Sequence, residues 1–152
     1  MSHASSAGRA GTGADTGRTP AQLYCLVAGL TLLAVGILGF IADASFDTGD
    51  GIQGSDLVVF EVNGIHNLVH LASGVLLLAA FPRRGPAKTV AIAFGLVYGV
   101  VTIIGLIDGE DVLGLIPVNA ADNVLHIVLS ALGIITGLMS RGSHDRADTT
   151  VG

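Results

Sequence analysis

Charge is what this sequence has least of. Asp, Glu, Lys and Arg make up 12% of its 152 residues, about half the share in an ordinary soluble domain. Four stretches have no charged residue at all: 21–42, 62–82, 89–107 and 123–140. Each is close to the roughly 20 residues that a helix needs to cross about 30 Å of hydrocarbon. A soluble protein built from four such helices would have no polar face to turn to water. Tryptophan is absent and Tyr24 and Tyr98 are the only tyrosines, so no aromatic belt marks the depth of the spans. The single cysteine, Cys25, excludes an intrachain disulfide and any paired-cysteine motif, and reads as a small packing residue. A phosphate-binding loop, a His-Glu-x-x-His pair and a nucleophile elbow are all missing. No Ser/His/Asp set converges either, because Ser73 and Ser130 lie deeper than the histidines. These absences argue against an enzyme, and seven basic residues with a net charge of −5 argue against a nucleic-acid partner.

Hydrophobic residues make up 51% of the chain, and mean hydropathy is +0.72. The expected fold is all-α, a bundle of four transmembrane helices over 20–140, with a disordered cytoplasmic tail on either side (1–19 and 141–152). Helices are expected near 20–42, 60–81, 87–107 and 118–139. The segment Pro82-Arg83-Arg84-Gly85-Pro86 reads as the inner turn, and the Gly- and Asp-rich segment 43–56 as a solvated outer loop. Every Lys and Arg lies in alternate segments: Arg9 and Arg18, then Arg83, Arg84 and Lys88, then Arg141 and Arg146. The other two loops carry only acids: Asp43, Asp47, Asp50, Asp56 and Glu61 in one, Asp108, Glu110 and Asp111 in the other. Basic residues stay cytoplasmic on insertion, so a multi-pass plasma-membrane protein with both termini cytoplasmic is expected. Ala42-Asp43-Ala44 resembles a signal-cleavage site, but the preceding apolar run is longer than a signal core, so helix 1 is expected to remain. The Arg83, Arg84 and Lys88 cluster suits anionic headgroups but reads foremost as an orientation signal.

The two halves look duplicated. Asn67-Leu68-Val69-His70 matches Asn123-Val124-Leu125-His126, and Gly29-Leu30 and Ile37-Leu38-Gly39 match Gly95-Leu96 and Ile103-Ile104-Gly105. Such halves would sit around an approximate two-fold axis along the membrane normal. At 100° per residue, Asn63, His66, Asn67, His70, Ser73 and Gly74 fall within roughly a 120° arc of helix 2. Asn119, Asp122, Asn123, His126, Ser130, Gly133 and Gly137 fall within about 100° on helix 4. Polar groups in hydrocarbon must find partners, so these stripes are expected to face inward. Glycine-rich stripes on helices 1 and 3, with Tyr98 among the second, would allow close packing. His70 and His126 lie about 10–13 Å below the outer surface.

Three readings of this cluster stand together. The leading one is structural: Asn119 and Asp122 would cap helix 4, Asn63 would cap helix 2, and Asn67, His70, Asn123 and His126 would bond to one another across the bundle. The second is a metal site of His66, His70, Asp122 and His126, suited to zinc, copper or non-haem iron, or a haem held by His70 and His126. The third is a proton or solute path in a small transporter subunit. Against it, Lys88 at the inner end of helix 3 is the only charged residue in the inner half of any expected helix.

The chain also resembles a family of small bacterial four-helix membrane proteins known as domain of unknown function 4383. The resemblance rests on Arg18-Thr-Pro-Ala-Gln-Leu, Val35-Gly-Ile-Leu-Gly-Phe40, His66-Asn-Leu-Val-His70-Leu, Gly95-Leu-Val-Tyr98 and Ile116-Pro-Val-Asn-Ala-Ala-Asp122-Asn-Val-Leu-His126. It covers about residues 18–139, with Ala120 where the family often has Thr. It implies a four-helix membrane domain and assigns no activity or cofactor. The expectation is therefore a non-enzymatic membrane protein whose partners are the lipid bilayer and a homo-oligomer or larger membrane complex.

Overall fold

The structure, a computed structural model, describes residues 17–141. Of the tails expected at 1–19 and 141–152, residues 1–16 and 142–152 lie outside the described residues. Four helices alternate with two small hairpins: α1 (Pro20–Ala42), β1 (Ser55–Leu57), β2 (Phe60–Val62), α2 (Gly64–Ala80), α3 (Arg84–Asp108), β3 (Asp111–Val112), β4 (Ile116–Pro117) and α4 (Ala120–Met139). β1 pairs antiparallel with β2, and β3 with β4. Helices α1, α3 and α4 are long and apolar enough to cross a membrane.

Local chemistry sets the boundaries. Thr19 caps α1 through a reciprocal box with Gln22, and Pro20 takes the first position, where its missing N–H costs nothing. Helix 2 was expected from residue 60 but starts at Gly64. Phe60, Glu61 and Val62 instead pair with Leu57, Asp56 and Ser55, and the Asn63 side chain accepts from the His66 N–H to start the helix. The inner turn is shorter than expected. α3 begins at Arg84 and takes Pro86 into its first turn, where an N–H would have no helical partner anyway.

Small residues position the helices. Gly29 meets Leu78 and the Gly74 carbonyl, Gly36 meets Leu71, and Gly39 meets Asn67, so α1 and α2 run antiparallel at close range. α3 and α4 do the same, with Gly95 on Ser130 and Ile134, Gly105 on Asn123 and Gly137 on Ile92. At the end where α1 and α3 begin, Ala21, Cys25 and Ala28 share a buried cluster with Ala87 and Ala91. The Cys25 thiol donates to the Ala87 carbonyl there. The opposite end is polar inside: Asn63, His66, Asn67, His70, Asp122, Asn123 and His126 are all buried. Outward faces are apolar instead, with Val27 64% and Ile107 76% exposed. That inside-out distribution is what a hydrocarbon solvent selects.

Candidate functional site

The polar end is built from two interlocked caps. Asn63 caps α2 while its amide donates to the Leu115 carbonyl beside β4 (3.0 Å). Asn119 caps α4 and donates to the Val59 carbonyl between β1 and β2 (2.9 Å). Each half thus holds the other's hairpin over its own helix start. The Asp122 carboxylate accepts from the Asn119 N–H, closing a capping box, and from the Glu61 N–H on the opposite hairpin, both at 3.0 Å. The capping roles expected of Asn63, Asn119 and Asp122 are therefore what these side chains do.

Below the caps, His66, His70 and His126 converge. Ring centroids are 4.4 Å apart for His66 and His70, 5.9 Å for His66 and His126, and 6.3 Å for His70 and His126. One nitrogen from each ring lies within 4.8 Å of the others. The mutual hydrogen bonds expected among Asn67, His70, Asn123 and His126 are not formed. Asn67 donates instead to the Asp43 carbonyl at the end of α1 (2.8 Å). His66 Nε2, His70 Nδ1, His126 Nδ1 and the side-chain oxygens of Asn67 and Asn123 have no hydrogen-bond partner among the described residues. The rings of His66 and His70 are tilted by 54°, and His126 stands edge-on to both, at 62° and 78°.

The Glu61 carbonyl orients the His66 ring. Its Nδ1 lies 2.9 Å from the Glu61 carbonyl, which can only accept, so a proton on Nδ1 satisfies that contact. A ring oriented by a backbone carbonyl with its other nitrogen free is the arrangement that metal-ligating histidines adopt. Asp122 is not part of the convergent group; its charge goes to the caps. A cavity of about 100 Å³ touches all three rings and is otherwise lined by Val69, Ser73, Val97, Tyr98, Val101 and Ile116. The Tyr98 hydroxyl, expected to reach the interior, bonds to Ser73 there (3.4 Å). With His66 in contact with both other rings and so little space, a porphyrin does not fit between His70 and His126.

Glu61 is the residue that sequence reasoning passed over. Its backbone joins Asp122 on one side and His66 on the other. The available signal was its place two residues before a helix cap, on an outer segment that had to cross to the other half.

These features define an α-helical protein with membrane-compatible spans and a buried imidazole cluster. The chain belongs to the family described as domain of unknown function (DUF4383), which matches residues 22–139. Neither the curated proteins nor the solved structures gave a match.

Proposed function

We propose that this chain is a four-pass plasma-membrane protein, with both termini cytoplasmic, that binds a transition-metal ion between His66, His70 and His126. The observation that carries the reading is three converging imidazoles with unpartnered ring nitrogens in a buried site. Burying such nitrogens without hydrogen bonds is costly, and an ion would offset that cost for all three at once. Moving each ring inward by under about 1 Å would bring its nitrogen to the usual 2.0–2.1 Å ligand distance. All three donors are neutral, so the site keeps the full charge of its ion. Because the cost of burying charge rises steeply with that charge, monovalent copper suits the site better than a divalent ion.

The caps made by Asn63, Asn119 and Asp122 belong to the framework and not to the ligand set. Elemental analysis of detergent-purified protein tests the proposal. About one copper per chain is expected after dialysis, falling at least tenfold in His70→Ala and in His126→Ala but retained in Asp122→Asn. Protein that takes up no metal, or whose metal survives both histidine replacements, would overturn it.

A further inference from the structure

In zinc sites four protein ligands close the metal and three leave a position for an exogenous molecule. Cu(I) is stable with three ligands yet can take a fourth, neutral donor, and the surroundings of the three rings indicate from which side. Here the only space in contact with His66, His70 and His126 among the described cavities is the one of about 100 Å³. It is smaller than the engineered cavity of about 150 Å³ that holds benzene, so its occupant has only a few heavy atoms. Its other walls are the valines Val69, Val97 and Val101, Ile116, and the Tyr98–Ser73 hydroxyl pair. Apart from the three imidazoles, acidic and basic side chains are absent from that lining, so a cation would enter without compensation and an anion would meet only the charge of the ion itself.

The cavity also has a direction. Val69 on α2 and Val97 on α3 line it, yet they are 37% and 59% exposed on the outside of the protein. The two valines therefore flank a mouth between α2 and α3 that faces the hydrocarbon in a four-pass arrangement. From these observations, and resting on the metal reading above, we infer that the open coordination position takes a small uncharged ligand, of the size of a diatomic gas, that reaches the metal laterally from the bilayer between α2 and α3. The Tyr98 hydroxyl, which shares the cavity, is the polar group placed to hydrogen-bond such a ligand.

Carbon monoxide is a suitable probe, because it is neutral, dissolves in lipid and gives an infrared band when it binds Cu(I). Full-length protein in liposomes is loaded with Cu(I), its copper content is measured, and it is then exposed to CO. One C–O band per bound copper is expected. Val97→Trp, which fills the mouth of the cavity, is expected to slow CO binding at least tenfold per bound copper, the copper content being measured on the same sample. Tyr98→Phe is expected to retain both copper and CO while shifting the band. Copper-loaded protein that shows no band overturns the open position and leaves the metal reading intact. Unchanged CO kinetics in Val97→Trp overturn the lateral route. Protein that holds no copper overturns both readings.

Discussion

Asn67 shows how tightly single atoms are placed. Its amide is pinned to the Asp43 carbonyl, and a methyl group at Gly39 would collide with that amide at its oxygen and carbon. Gly39→Ala must therefore displace Asn67 or push α1 from α2, an overpacking change that costs about 1–3 kcal/mol. Its counterpart is milder. A methyl at Gly105 would stand 2.9 Å from the Asn123 oxygen, and no hydrogen bond from a described residue holds that oxygen in place. Thermal unfolding in detergent is expected to show a clear drop for Gly39→Ala and a smaller one for Gly105→Ala. Equal effects would mean that the pinning of Asn67 contributes nothing. At this scale the inward arcs of Asn63, His66, Asn67 and His70, and of Asn119 to His126, were legible from helical spacing alone. Their hydrogen-bond partners were not. Asn67 turns to Asp43 and His66 to Glu61, both backbone carbonyls, and every residue presents such a carbonyl whatever its side chain.

The elements divide along the same line. α1, α3 and α4 were legible because long uncharged runs leave only one economical backbone state in hydrocarbon. The hairpins were not: strands of two or three residues show no alternation, and Phe60 to Val62 reads as a continuation of the apolar run behind it. What holds the hairpins is the exchanged pair of asparagines. Asn63→Ala removes a cap at a fully buried residue and takes the donor from the part-buried bond to the Leu115 carbonyl. A loss of about 2 kcal/mol is expected, at the upper end of the range for caps. Asn119 is part-exposed and its bond to Val59 is open to water, so Asn119→Ala is expected to cost about 1 kcal/mol. Denaturant titration of the two variants measures the order, and the reverse order would contradict the account. The loop between α1 and β1 is anchored differently. Hydrogen bonding to Ser45, and less to Ser55, holds the Asp43 carboxyl below the ordinary carboxylate range. A lowered folded value means that its contribution is complete above the unfolded value and is lost as pH falls through the folded one. The protection of the Ser45 amide, measured relative to the intrinsic exchange rate at each pH, is thus expected to fall only in acid below the usual carboxylate range. Asp43→Asn is expected to remove that dependence. An unchanged acid limb in the variant would assign it to another group.

For the whole molecule the decisive element is α2. Its 17 residues span about 26 Å at 1.5 Å per residue, against about 30 Å of hydrocarbon, whereas α1, α3 and α4 are long enough without adjustment. Two features make a crossing workable. α2 pairs along its length with α1, and a short span is accommodated by local thinning at a cost of only fractions of a kcal/mol per Å. The charges then decide its direction: the loop before α2 carries acids and no Lys or Arg, and the turn after it carries Arg83 and Arg84. Single cysteines on either side of α2, in a Cys25→Ala background, test crossing and direction together. Asp50→Cys is expected to react with a membrane-impermeant maleimide on intact cells, and Arg83→Cys only after the membrane is opened; both positions are exposed on the protein itself. Labelling of both from outside would mean that α2 does not cross, and the reverse pattern would invert the protein. Either result would also move the imidazole cluster, because His66 lies only one turn inside the start of α2 and takes its depth from wherever that end is held.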